Sequence, residues 1–195
     1  LATNIASYFA TEGASVALAD YDPQRSSLDW LDRRPGDRPE IVGVAAFEDG
    51  FRHVPRSADI VVVDAPARSH GKELTDLVKH AETIIVPVLP STIDMQATTT
   101  FVEELKNVGK VHRKQAKIGT VANRVRDNTL IWGDLDEYLT KVRVPYIAAL
   151  REAQNYVRAY TRGLGIFELP EYLAWPDWEE WEPLTAWLRS KRSQP

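Results

Sequence analysis

A chain of 195 residues and 22.0 kDa has room for one substantial domain, and 44% hydrophobic with 27% charged residues is the balance of an ordinary globule. No apolar run is long enough to cross a bilayer and no secretory signal opens the chain, while the lack of cysteine excludes disulfides and thiolate metal sites; a cytoplasmic protein is expected. The net charge of −4 conceals a segregation: Lys106 to Arg126 holds seven bases and no acid, Lys141 to Arg162 five bases against the single Glu152, and Glu168 to Glu182 six acids and no base, so an acidic chain can still offer a polyanion basic patches.

The opening stretch LATNIASYFATEG places Leu1, Ile5 and Phe9 beside Ala2, Ala6 and Ala10 at spacings of four and ends at Gly13, which predicts a helix already under way at Leu1. Short runs of Val, Ile and Ala follow at 15–20, 40–45, 59–66, 83–90, 117–125 and 144–150. Helical periodicity separates them near 26–33, 71–80, 92–107, 130–141 and 153–162. Continuous apolar strands alternating with amphipathic helices predict a doubly wound α/β fold, its mostly parallel sheet covered by helices on both faces, as one domain over 1–195. The tail from 170 to 195 differs, carrying four of the six tryptophans. Trp178, Trp181, Leu184 and Leu188 recur at helical spacing, and Pro183 is expected to start or kink the helix. That aromatic face fits either a lid on the sheet or a partner surface.

Ligands of open α/β sheets bind beyond the carboxyl ends of the strands, so the residues that close each strand are the candidates. Asp20 and Asp22 close the first run, Asp64 closes IVVVD, and Asn123 closes IGTVAN. An Asp after four branched apolar residues is the pattern of a Walker B strand, whose carboxylate orients Mg²⁺ through its water. A strand-ending Asp also serves as a turn former or helix cap. In DYDPQ, Pro23 fixes the turn and holds Asp22 near the same sheet edge, where a carboxylate can position or deprotonate a water; an Asx turn with two solvated acids is the competing reading. The histidines, His53, His70, His80 and His112, have no ligand spacing and are assigned surface or supporting roles.

LADYDPQRSSLDW, IVVVDAPA, IIVPVLPSTIDMQA and VANRV resemble, in order and spacing, the ParA/MinD group of deviant Walker A ATPases, a P-loop NTPase family. The likeness runs from Leu1 to about Leu169 and is strongest to short ParA proteins of the ParF and carboxysome-positioning type. The resemblance implies ATP and Mg²⁺ as cofactors. It implies Asp22 as the catalytic, water-activating and metal-linked carboxylate with Asp20 in support, Asp64 as the Walker B metal residue, and Asn123, with Arg124 beside it, as the adenine reader. It places a second switch at APARS, 65–69, and Pro87, Pro90 and Asp94 near a dimer interface. In that group K-G-G-x-G-K-[ST]-[ST] stands immediately before a helix similar to LATNIASYFA. A strand and loop of roughly 15 to 20 residues are therefore expected upstream of Leu1, beside the Asp64 strand, and the stretch from Leu1 onward is expected to be inactive alone.

The same resemblance implies nonspecific DNA binding, an ATP-dependent homodimer, a small ParB-like or cargo-adaptor partner, and a nucleoid-associated location without membrane attachment. Arg151, Arg158 and Arg162, spaced seven and four apart across an expected helix, are the candidate DNA contacts, with Arg189, Lys191 and Arg192 behind them; a solvated helix face is the plain alternative. Two other functional readings stay open: a nonenzymatic binding protein without a phosphate loop, and an ATP-dependent biosynthetic relative of the cobyrinic acid or dethiobiotin synthase kind.

Overall fold

Alanine at every fourth position lets the first helix, α1 (Ala2–Thr11), lie close against a sheet: Ala6 and Ala10 are buried, and the chain turns away at Gly13, whose φ of +91° suits a residue without Cβ. In the computed structural model, which describes residues 1–66 and 69–195, there follow β1 (Val16–Asp20), α2 (Ser26–Leu31), β2 (Ile41–Ala45), α3 (Ala46–Asp49) and β3 (Ile60–Asp64). Next come α4 (Gly71–Val78), β4 (Thr83–Val88), α5 (Thr92–Asn107), α6 (Gly109–His112), β5 (Lys117–Val125), α7 (Leu130–Lys141), β6 (Tyr146–Arg151) and α8 (Gln154–Thr161). A 3₁₀ turn at Ile166–Glu168 and α9 (Glu171–Leu188) complete the order. The chain forms two units, Leu1–Ser69 with Gln154–Trp175, and His70–Ala153 with Pro176–Pro195.

The first unit is built on a parallel sheet of order β2-β1-β3. Alternation along β1 sorts its side chains onto two faces. Val16 and Leu18 join Ala6, Ala10 and Trp30 in one core cluster, while Ala19 packs with Val44 and Ala46 under Tyr21 and Phe51. Central β1 is buried throughout. By contrast β3, which the apolar run IVVVD predicts to be covered on both faces, lies at its sheet's edge with Val61 40% exposed, because only β1 pairs with it among the described residues.

The return of the chain after α8 is held by close contacts. Trp30 Nε1 donates to the Leu164 carbonyl (3.1 Å), and buried Arg34 forks onto the Glu168 carboxylate at 2.9 and 2.7 Å while donating to the Gly163 carbonyl (3.1 Å). Gly163 has φ +65°, and a Cβ there would stand 2.4 Å from the Arg34 nitrogen and 2.5 Å from the Arg33 carbonyl carbon. Those neighbours are backbone and cannot swing aside. Gly163→Ala is expected to destabilise the protein by about 2–3 kcal/mol through overpacking and strain. Gly13→Ala, also at positive φ but facing open space, should lose only about 1 kcal/mol. Urea midpoints of the two variants give the comparison.

The second unit carries a parallel sheet of order β4-β5-β6. Leu74 and Val78 of α4, Leu105 of α5, and Leu135 and Leu139 of α7 form one core with Val86, Val88, Ile118 and Ala122. On β5 the intervening Gly119 leaves room for other side chains: a Cβ there would meet Ile147 Cδ1 at 2.0 Å and the Trp187 ring at 3.4 Å. Trp181, Leu184 and Trp187 are buried, as a tail covering a sheet requires. Of the two expectations for Pro183, the helix start needs correction: Pro183, like Pro176, lies inside the helix α9. Both prolines are exposed, and so are Tyr172 and Glu179 four residues before them, so the carbonyls that lose an amide partner sit where water can reach. The buried side chains of the opposite face hold the helix together across them.

Candidate functional site

At the carboxyl end of β1 the chain makes a β-turn, Asp22-Pro23-Gln24-Arg25, closed by the Arg25 amide donating to the Asp22 carbonyl (2.9 Å). Asp at the first position and Pro at the second are the residues such a turn favours. Arg25 then takes φ +58° to turn into α2. Asp20, fully buried, organises this passage. Its Oδ1 accepts from the Asp22 amide (2.9 Å), and its Oδ2 accepts from the amides of Ser27 (3.0 Å) and Leu28 (3.3 Å) at the start of α2. Both oxygens accept from backbone amides and the side chain is fully buried, so Asp20 is the support for the turn.

Asp22 and Asp64 are differently placed. Asp22 Oδ1 accepts from the Gln24 amide (2.9 Å), the Asx turn weighed above, and its second oxygen has no partner among the described residues. Asp64 lies in register with Asp20 on the neighbouring strand, and its carboxylate accepts one hydrogen bond among the described residues, from Ser27 Oγ to Oδ2 at 2.5 Å. Burial raises the Asp64 carboxyl above the usual aspartate range; the Ser27 hydroxyl opposes that rise, and the nearby Asp20 and Asp22 charges add to it. The arrangement concentrates negative charge in a partly desolvated corner and leaves one oxygen on each of two carboxylates for a cation or a water.

Among the described residues no group of three or more His, Asp or Glu side chains is arranged to hold a metal ion. A complete protein cage is not what Mg²⁺ requires, since it keeps waters and substrate phosphates and takes one or two carboxylates. The donor pair of Asp64 and Asp22 fits that role, and a buried carboxylate flanked by like charges gains from a cation.

The other expected residues fall in the second unit. Asn123 sits half-exposed near the carboxyl end of β5, at an irregularity: the register with β6 shifts between Asn123 and Val125, and Arg124 at the bulge has φ +55°. Arg124 donates to Glu152 Oε1 at 2.6 Å, and Arg126 pairs with the other oxygen of the same carboxylate. These two hydrogen bonds hold Glu152 below the usual glutamate range. Glu152 is the one acid in the basic stretch from 141 to 162, a signal present in the sequence whose use is clear only from this fork.

The three candidate arginines do not share a helix. Arg151 ends β6 and is bound to the buried Asp177 (2.8 Å) and to Glu180 (3.8 Å), because the strand runs one residue further than its apolar run indicates. Arg158 on α8 and Arg162 just beyond it are exposed, four residues apart, with Arg158 donating to Asn155 Oδ1 (3.2 Å). Of the expected second switch at 65–69, residues 67 and 68 lie outside the described residues. His53 pairs with Asp49 and His70 with Glu104, both on exposed ground. No helix among the described residues is long and apolar enough to cross a membrane. Ser27 was missed as a site residue: a serine after a turn is ordinary, and its link to Asp64 spans 37 residues.

Comparison with known proteins bears on the family and the fold. The profile described as the CobQ/CobB/MinD/ParA nucleotide binding domain matches residues 1–166. The maintenance of carboxysome distribution protein A of Halothiobacillus neapolitanus is 26% identical over 175 residues, 87% of this chain and 80% of that protein. Among solved structures, the ATP complex of a McdA variant from Cyanothece superposes with a TM-score of 0.65 at 13% identity, covering 96% of this chain and 88% of that one. The septum site-determining protein MinD of Pyrococcus horikoshii with Mg-ADP gives 0.63 at 15% identity, with 97% and 92% covered. These structural likenesses bear on the fold: α/β, with parallel sheets and helices.

Proposed function

The chain belongs to the CobQ/CobB/MinD/ParA nucleotide-binding domain family, and from that premise we propose that it is a ParA-type ATPase that positions or partitions a cargo by binding ATP and Mg²⁺, dimerising around them and holding nonspecific DNA until hydrolysis releases it. The observation that carries the reading is the carboxylate corner at the ends of β1 and β3. There Asp20 builds the turn, and Asp22 and Asp64 each keep an oxygen without a partner among the described residues. In this reading Asp64 holds the water shell of the cation, and Asp22 orients or accepts a proton from the attacking water. Mg²⁺, when bound, offsets the charge of the nucleotide phosphates. Asn123 reads the adenine edge with its amide, and Arg124 is held beside it by Glu152.

The carboxysome-distribution relative supports a protein cargo, and a small adaptor is the partner proposed with it. Ile93, 80% exposed at the start of α5 next to Asp94, supports a dimer face there, since a large apolar side chain gains from a partner's cover. Arg158 and Arg162 are the proposed DNA contacts, on a nucleoid-associated cytoplasmic protein. Arg151 is already bound by Asp177 and Glu180 and is the weaker of the three.

The direct test is ATP hydrolysis by the whole gene product with Mg²⁺ or with a chelator: turnover that needs the metal supports the reading, and no turnover under either condition rejects it. For the DNA contacts, Arg158→Ala with Arg162→Ala should weaken binding to random duplex equally across sequences and make the slope of log affinity on log salt shallower by about 1.8. An unchanged slope removes these two residues from the interface.

A further inference from the structure

Two side chains outside the carboxylate pair bear on how Asp64 is held, an inference that rests on the ATPase reading only for its second readout. Ser27 Oγ donates to Asp64 Oδ2 at 2.5 Å while the Ser27 amide donates to Asp20 Oδ2 at 3.0 Å, so the first turn of α2 sets the direction of that hydroxyl. The same turn is anchored from the outside. Tyr160 Oη, on α8, donates to the Ser26 carbonyl at 2.9 Å, and the Arg33 guanidinium, just past the other end of α2, lies 5.3 Å from the centre of the Tyr160 ring. Trp30 Nε1 bonds the Leu164 carbonyl, tying the end of this helix to the same returning segment. A helix of six residues fastened at both ends tends to shift as a piece.

We propose that Ser27 is the positioning residue of the Asp64 carboxylate and that Tyr160, through the Ser26 carbonyl, holds Ser27 in place, so that α2 links the exposed face of α8 to the acidic corner. Ser27 fixes which oxygen of Asp64 stays free: with Oδ2 engaged, Oδ1 is the one presented. Tyr160 is 37% exposed and Val157, one turn before it, 55%. Whatever covers α8 therefore touches the anchor directly. Coupling of this kind is reciprocal, and a ligand at Asp64 is felt at Tyr160 to the same degree.

The first test needs no nucleotide. In Tyr160→Phe, which keeps the ring beneath Arg33 and removes only the hydroxyl, the amides of Ser27 and Leu28 should exchange with solvent about fivefold faster, as loss of one net hydrogen bond implies. The Leu18 amide in the middle of β1 should be unaffected. Unchanged exchange at Ser27 and Leu28 overturns the link. The second test measures how much Mg²⁺ tightens ATP binding to the whole gene product. Ser27→Ala and Tyr160→Phe should each reduce that gain, and the double variant should lose no more than Ser27→Ala alone. Additive losses overturn the proposal, because they mean that the two residues act independently. Absence of ATP binding in every form rejects the ATPase reading and leaves the exchange result to decide the link.

Discussion

Asp22→Asn is expected to lower kcat for ATP hydrolysis by about 10²–10⁴-fold, the range associated with losing a positioned general base. The substitution is chosen for what it preserves. An asparagine carbonyl still accepts from the Gln24 amide, as Asp22 Oδ1 does at 2.9 Å, so the Asx bond and the Pro23 turn survive. What disappears is the negative charge and the proton-accepting oxygen that has no partner among the described residues. Asp22→Ala removes both the charge and the turn bond, and should add a stability loss of about 1 kcal/mol for the missing hydrogen bond. Equal loss of turnover in the two variants, with only alanine unfolding earlier in urea, assigns Asp22 to chemistry. Near-normal turnover in asparagine with impairment in alanine alone makes the residue a turn former, the reading that Asp-Pro sequences carry by default.

The elements that were legible in the sequence are those whose evidence is periodic. The run 117–125 and the helices at 92–107 and 130–141 agree with the structure to the residue, because each presents many apolar positions to one core. The four-residue helices α3 and α6 and the 3₁₀ turn at Ile166–Glu168 are too short to show a period. The expectation that Pro183 starts a helix failed in α9 because local propensity was weighed without knowing which way each proline faces. Side-chain identity marked Asp20, Asp22 and Asp64, yet their division of labour rests on amides: Asp20 accepts from three backbone donors, and no residue letter reports that. Ser27 and Tyr160 were hidden for a different reason. The bond from Tyr160 to the Ser26 carbonyl joins residues 134 apart, and only the fold brings them into reach.

Asp64→Asn should stabilise the protein while abolishing its function, and the stabilisation should grow with pH. Burial raises the Asp64 carboxyl in the folded protein above its unfolded value, and the charges of Asp20 and Asp22 contribute in the same direction. A raised folded pKa means that the folded state prefers the protonated acid. The stability contribution is then complete below the unfolded aspartate pKa, about 3.9, and is lost as pH rises through the folded value. At neutral pH the ionised carboxylate works against folding. Asparagine removes that charge and still accepts the Ser27 hydroxyl, so the expected gain at pH 7.5 is about 0.5–2 kcal/mol, shrinking as the pH falls and vanishing only below the unfolded aspartate pKa of about 3.9. Urea midpoints of wild type and variant across that interval measure it, and a difference that is flat with pH overturns the assignment of the cause to Asp64 ionisation. The same variant should weaken the Mg²⁺-dependent part of ATP binding by about 10- to 100-fold. A substitution that improves the fold and removes the ligand marks a group retained for what it binds, and for Asp64 the two effects have one origin: the desolvation that makes the charge costly without a cation is what gives a cation reason to stay.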